Sequence, residues 1–290
     1  MSSGYLEKMA ASIRAMSAGF ARSLMAGALV TAFVSVATAA QARELRVCAD
    51  PNNLPFSNER GEGFENRIVD IVAKELGADV SYVWWAQRRG FVRNTLKAGL
   101  CDLIPGAPAA LEMLRTTVPY YRSSYVFVTR EGEPGISSFD DPRLRDLKIG
   151  VQLIGDDGAN SPPVAALARR GIGAHLKGFP VYGDYSTPDP QSEIIEAVAS
   201  RDIDVAIVWG PLAGFFASRQ PVKLRVAPVS PLIDKPVVPM LYDISMGVRR
   251  DEKALSGELD AALKKHRQEI DAVLAEFHVP RLDTGNAASP

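Results

Sequence analysis

The residues of this chain that could do chemistry form an arginine and aromatic set rather than a catalytic one. Asn52, Asn53 and Phe56 follow an apolar run, Arg88 and Arg89 follow a second, and Tyr120, Tyr121 and Arg122 open a third. Gln152, Asp156 and Asp157 follow a fourth run, and Trp209 ends a later one. Arginine forks suit carboxylates and phosphates, and aromatic faces suit flat rings or the anchor side chains of a partner protein. Arg88, Arg89 and Arg93 read equally as the solvated face of a helix start, although cations near an N-terminus oppose the macrodipole. Asp156-Asp157-Gly158 reads as turn and helix-capping chemistry, because no DxDxDG-type loop supplies the closely spaced oxygens that a hard cation needs.

Reactive constellations are missing from the sequence. His175, His266 and His278 are scattered and have no partner at metal-ligand spacing. There is no Gly-x-Ser-x-Gly elbow, no phosphate-cradling glycine loop and no dinucleotide fingerprint. The expectation is a binding protein with no cofactor of its own and no metal. An enzyme would need a carboxyl or histidine with a shifted pKa inside a cleft.

The two cysteines, Cys48 and Cys101, take their meaning from the compartment. A basic lead (Lys8, Arg14, Arg22) precedes the apolar run SLMAGALVTAFVSVATAA, and small-x-small sites follow at Ala37-Thr38-Ala39 and Ala40-Gln41-Ala42. That is the layout of a secretory signal peptide over residues 1–42, cut before Arg43, with Met9 and Met16 as alternative starts; the other reading is an uncleaved anchor. Export to the periplasm favours a Cys48–Cys101 disulfide over two separate buried thiols. The pairing is feasible if the first and third strands are neighbours.

The mature chain has the elements to present these residues. LRVCAD, ADVSYVWW and CDLIPG read as short strands separated by helices over GFENRIVDIVAKELG and RRGFVRNTLKAG. That alternation makes a parallel α/β unit. The long extended segment VPYYRSSYVFVTREG leads to a second unit built on KIGVQ, HLKGFPVY and IDVAIVWG, and MLYDISMGVRR returns before two amphipathic helices. The expected organisation is lobe 1 over 43–128 plus 238–280, lobe 2 over 129–237, and a disordered tail over 281–290. Each lobe should fold on its own core and turn its strand tips to a shared cleft. A net charge of -1 gives no electrostatic case for nucleic acid, and no membrane span is expected in the mature protein.

The series LRVCADPNNLPFSNERGEGFENRIVDIVAKELG, GLCDLIPG, PYYRSSYVFV and KIGVQ resembles the extracellular solute-binding family 3 proteins of bacterial ABC transporters. WWAQRRGFVRNTL, VPYYRSSYVFV and GVQLIGDDGANSPP are similar to a narrower, quinoprotein-dehydrogenase-associated branch of MxaJ/XoxJ type. The resemblance implies the α/β, type II periplasmic-binding-protein fold, with two lobes joined by a two-segment hinge. It also implies a partner, a PQQ-dependent methanol or alcohol dehydrogenase loaded with a lanthanide or calcium, with its cytochrome c as a further candidate. The alternative is an ABC-transporter receptor for an anionic or aromatic solute that is not an amino acid. Amino-acid receptors of this family place an arginine about nine residues before the Pro-Tyr of the crossing strand, where Ala110 stands here and Arg115 is the nearest candidate. They place an aspartate where this chain has Trp209 and Gly210. Zwitterion capture is therefore not expected, whereas PQQ or an anionic dehydrogenase surface would suit the arginines.

Overall fold

β1 (Arg43–Ala49) and β2 (Ala78–Trp84) pair in parallel, Arg43 opposite Ala78 and Ala49 opposite Trp84, with α1 (Phe64–Glu75) as the crossover. Phe64, Ile68, Val69 and Val72 of α1 are fully buried, the apolar stripe that a 3.6-residue period dictates. The helix begins at Gly63, where a Cβ would sit 2.0 Å from the Phe56 carbonyl oxygen, so glycine is required for this close approach. Asn66 Oδ1 accepts from the backbone N–H groups of Gly63 and Asn58, which fixes the loop to the helix start.

The computed structural model describes residues 43–109, 111–153, 161–180 and 185–282. The expected signal peptide, Ala110, Asp156, Asp157 and residues 283–290 lie outside these. The helix expected over residues 88–99 is a single turn, α2 (Phe91–Asn94). Gly90 enters it at φ 90, Thr95 leaves helical space at φ -119 and ψ -83, and the Thr95 hydroxyl donates to the Phe91 carbonyl at 2.6 Å. A side chain bonding back to its own turn competes with continuation of the helix.

β3 (Ile104–Pro108) follows, and just before it Leu103 bridges Val47 of β1 in parallel, with Cys48 N–H donating to the Leu103 carbonyl at 2.8 Å. This neighbour relation brings the Cα atoms of Cys48 and Cys101 to 5.6 Å, and the two form a disulfide.

The chain continues through β4 (Tyr121–Arg130), β5 (Ile149–Leu153), α3 (Pro162–Arg169), β6 (Leu176–Pro180), α4 (Glu193–Ser200) and β7 (Val205–Trp209). α5 (Gly210–Ala217), β8 (Leu224–Pro228), β9 (Leu241–Val248), α6 (Lys253–Lys265) and α7 (Arg267–Glu276) complete it. β4 belongs to both lobes. Its residues Tyr121–Ser124 pair antiparallel with Ile244–Leu241 of β9, and from Tyr125 onward its partners are β7 and β8. β7, β5 and β6 then pair in parallel. The return crossing lies beside the outward one, where Tyr125 N–H donates to the Met240 carbonyl at 2.8 Å. The result is two α/β lobes joined by a two-segment hinge.

The lobes do not have wholly separate cores. One buried apolar cluster runs from Leu45 and Phe64 through Leu212 and Phe215 to Phe277 and Val279. Phe277 stacks on Phe215 at 5.4 Å and meets Phe64 edge-on at 5.8 Å, so the chain end after α7 joins α5 to α1. The same segment anchors part of the expected tail. Ser123 Oγ donates to the Pro280 carbonyl, Leu282 N–H to the Arg122 carbonyl, and Arg281 pairs with Asp271.

Candidate functional site

The tips of β1, β3, β5 and β7 meet at a cavity of about 470 Å³ between the lobes. Phe56, Asn52, Asn53, Tyr121, Gln152 and Trp209 line it together. The other sequence-selected residues stand elsewhere. Arg88 and Arg89 are exposed, directly after the lining residue Gln87. Tyr120 is fully buried beneath the site, its hydroxyl donating to the Pro105 carbonyl at 3.1 Å. Arg122 is exposed and forms a two-pronged pair with Asp243, Nε to Oδ1 at 2.7 Å and Nη2 to Oδ2 at 2.6 Å. Arg115 donates to the Arg250 carbonyl on the far edge of β9 and takes no part in the lining.

Asp50, at the end of β1, organises the lobe 1 wall although it is 4% exposed. Its carboxylate accepts from Asn52 N–H at 3.0 Å, Gln87 N–H at 2.6 Å and, across the cleft, the Tyr185 hydroxyl at 2.8 Å. Two further bonds cross between the lobes. Asn52 Nδ2 donates to the Thr187 carbonyl at 2.9 Å, and Gln191 Nε2 donates to Asn53 Oδ1 at 3.1 Å. The mouth is latched by three polar contacts.

On the lobe 2 side, Gln152 is buried and its Oε1 accepts from Trp209 N–H at 3.0 Å, tying the ends of β5 and β7. The Trp209 indole packs edge-on against Tyr125 at 5.5 Å and Tyr242 at 5.8 Å. A Cβ on Gly210 would lie 2.7 Å from the Ser124 carbonyl, so no larger residue fits at that position without displacing the crossing strand. At Trp209, the other position matched to the receptors' aspartate, the indole stands in its place.

Glu65, in the first turn of α1, is the charged-type residue that sequence reasoning missed. It is 5% exposed and lines the cavity, and no described residue donates a hydrogen bond to its carboxyl. Burial pushes its pKa up to about 8, so at neutral pH the acid form predominates. Burial also raises the Tyr120 and Tyr121 hydroxyls well above the usual phenol range, with the charge of Glu65 adding to the effect. The signal was present in the sequence: Glu65, Val69 and Val72 recur at helical spacing, which puts the glutamate on the buried face. Tyr185 reads from the sequence as a loop residue at the cleft mouth, and it lines the cavity, whereas Asp50, Gln87, Tyr125 and Gln191 were missed because no motif marks them.

A cleft at strand tips, with aromatic walls and a few polar groups, is the arrangement of the two-lobed periplasmic-binding-protein fold. Residues 45–278 match the bacterial extracellular solute-binding proteins, family 3, and the chain belongs to that family. Protein MoxJ of Methylorubrum extorquens is 33% identical over 255 residues, covering 83% of this chain and 83% of MoxJ. The crystal structure of periplasmic binding protein XoxJ from Methylobacterium extorquens AM1 shares 40% identity with a TM-score of 0.67, covering 82% of this chain and 99% of XoxJ. That of MxaJ from Methlophaga aminisulfidivorans shares 26% identity with a TM-score of 0.71, covering 82% of this chain and all of MxaJ.

Proposed function

We propose that the protein is a periplasmic accessory protein of a PQQ-dependent methanol or alcohol dehydrogenase and is not itself an enzyme. The observation that carries this reading is the likeness to MoxJ and XoxJ over about four-fifths of the chain, joined to a cleft where Trp209 and Gly210 stand at the place of the amino-acid-reading aspartate. In this reading the lobes are residues 43–128 with 238–280, and 129–237. Asn52, Asn53, Phe56, Tyr121, Gln152 and Trp209 form the ligand wall. The exposed Arg88 and Arg89 beside the mouth face the dehydrogenase, where basic rim groups steer association more than they tighten it.

The closed cavity of about 470 Å³ favours a second reading, a transport receptor for a small solute. Among the described residues its lining holds Asp50 and Glu65 and neither lysine nor arginine, so these residues do not suit PQQ or another anion inside the cleft. Glu65 is a cleft carboxyl with a shifted pKa, but Asp50 is held by three donors and the Ser161 hydroxyl of the lining donates to the Gln152 carbonyl, with no described histidine in the lining to activate it, which supports binding over catalysis.

Sedimentation of the mature protein mixed with the purified dehydrogenase at micromolar concentration tests the first reading. A faster-sedimenting complex, weakened by added salt, is expected. Independent sedimentation of the two proteins contradicts it.

A further inference from the structure

Glu65 is a buried ionisable group in the cavity wall, with no counter-charge among the described residues. Its carboxyl lies against Gly106, where a Cβ would come 2.0 Å from Glu65 Oε1, so the glycine keeps the space that the acid occupies. The titratable groups around it are the hydroxyls of Tyr82, Tyr120 and Tyr121, with Asp50 elsewhere in the lining. None of these is a cation. A buried carboxyl costs several kcal/mol to ionise unless a positive partner reaches it.

The remainder of the lining says what that partner looks like. Phe56, Tyr121, Tyr125 and Trp209 share the cavity with Glu65, and Trp209 packs edge-on against Tyr125 at 5.5 Å. Aromatic faces attract cations, most strongly where water is excluded. The latch from Asp50, Asn52 and Asn53 to Tyr185, Thr187 and Gln191 closes the mouth, and a closed space of this size suits a whole small molecule.

We propose that the interlobe cavity is a site for a small organic cation, an ammonium or amidinium on an apolar or aromatic body, with the Glu65 carboxylate as its counter-ion. The inference rests on the cleft being a ligand site and stands apart from the identity of the protein partner. Binding transfers no covalent bond. The Glu65 carboxyl gives its proton to solvent as the cation enters, and the ion pair replaces it.

Titration calorimetry on the mature protein tests this with benzylammonium, hexylammonium and benzamidinium, against benzyl alcohol as neutral control and benzoate as anionic control. At least one cation should bind ten-fold or more tightly than both controls. At pH 7, repeating the titration in buffers of different ionisation enthalpy should show release of about 0.9 proton per cation bound, as linkage to a group titrating near 8 requires. Glu65→Gln should lose ten-fold or more in cation affinity and all proton release, while benzyl alcohol affinity stays unchanged. Its fold is checked by circular dichroism, and the wild-type proton count needs no variant. Equal or tighter binding of benzyl alcohol or benzoate, no binding of any of the three cations at 10 mM (on the order of the weakest specific affinities), or binding without proton release would overturn the proposal. Sedimentation with the dehydrogenase, run on the same preparation, reads the accessory role separately.

Discussion

The Tyr185 hydroxyl donates to Asp50 Oδ2 at 2.8 Å, joining a loop of lobe 2 to the end of the first strand of lobe 1. Asp50 already accepts two backbone N–H groups of its own lobe, so the acceptor is held in place before the lobes meet. A fixed acceptor loses little further freedom when the tyrosine arrives, and a hydrogen bond to a charged group contributes about 1.5–3 kcal/mol. Tyr185→Phe removes this contact and leaves the other two crossings intact. The variant should shift toward the open form, seen as a larger radius of gyration in solution scattering. An unchanged radius with unchanged ligand affinity would show that the contact does not govern closure.

Glu65 makes stability fall as pH rises. Its pKa is about 8 in the folded chain against an ordinary 4.5, so between these values the folded state holds a proton that the unfolded state has lost. The stability that this proton confers is fully present below about pH 4.5 and lost as pH climbs through 8. Glu65→Gln lacks the linkage. Between pH 5 and 8, wild-type stability should decline relative to the variant by about 1.4 kcal/mol per pH unit, measured by urea unfolding at each pH. Parallel pH profiles for the two proteins would contradict the burial of an uncompensated acid.

Asp234 carries the opposite sign. Burial disfavours its ionisation, but hydrogen bonds and charge from Arg170 and Arg169 outweigh that and hold its pKa down at about 2. The stability it contributes is present above pH 3.8 and lost as pH falls toward 2. Asp234→Asn should cost about 2 kcal/mol at pH 7 and almost nothing at pH 2. Thermal melts at the two pH values decide it.

The Cys48–Cys101 bond closes a loop with a sequence separation of 53. In the chain-entropy picture such a crosslink is worth about 4 kcal/mol, through restriction of the unfolded chain. Replacing both cysteines by alanine should lower the urea midpoint accordingly. Wild-type protein denatured without reductant should show no free thiol, and detection of two thiols would rule the bond out.

Much of the frame was legible because it follows from periodicity. The apolar spacing of Phe64, Ile68 and Val72 and the short β-rich runs locate α1, β1, β5 and β7. Since ligands gather at strand tips, Asn52, Phe56, Gln152 and Trp209 could be named before any coordinates. Arg122 stands outside the lining for a physical reason. Residue type announces a charge but not its direction, and Arg122 points out of β4 to pair with Asp243 while Tyr121, one residue earlier, points in. Glu65 was overlooked because an acid in a first helical turn normally reads as a favourable interaction with the helix dipole on a solvated surface. The shared core was invisible for another reason. It depends on Phe277 packing between Phe64 and Phe215, residues far apart in sequence with no pattern linking them.

A role beside the dehydrogenase should show in the cell as alcohol-oxidising activity. A strain lacking this protein would be assayed for periplasmic PQQ-dependent alcohol oxidation per amount of dehydrogenase present, then complemented with the wild-type chain. Specific activity should collapse in the deletion and return on complementation. Undiminished specific activity without the protein would contradict it.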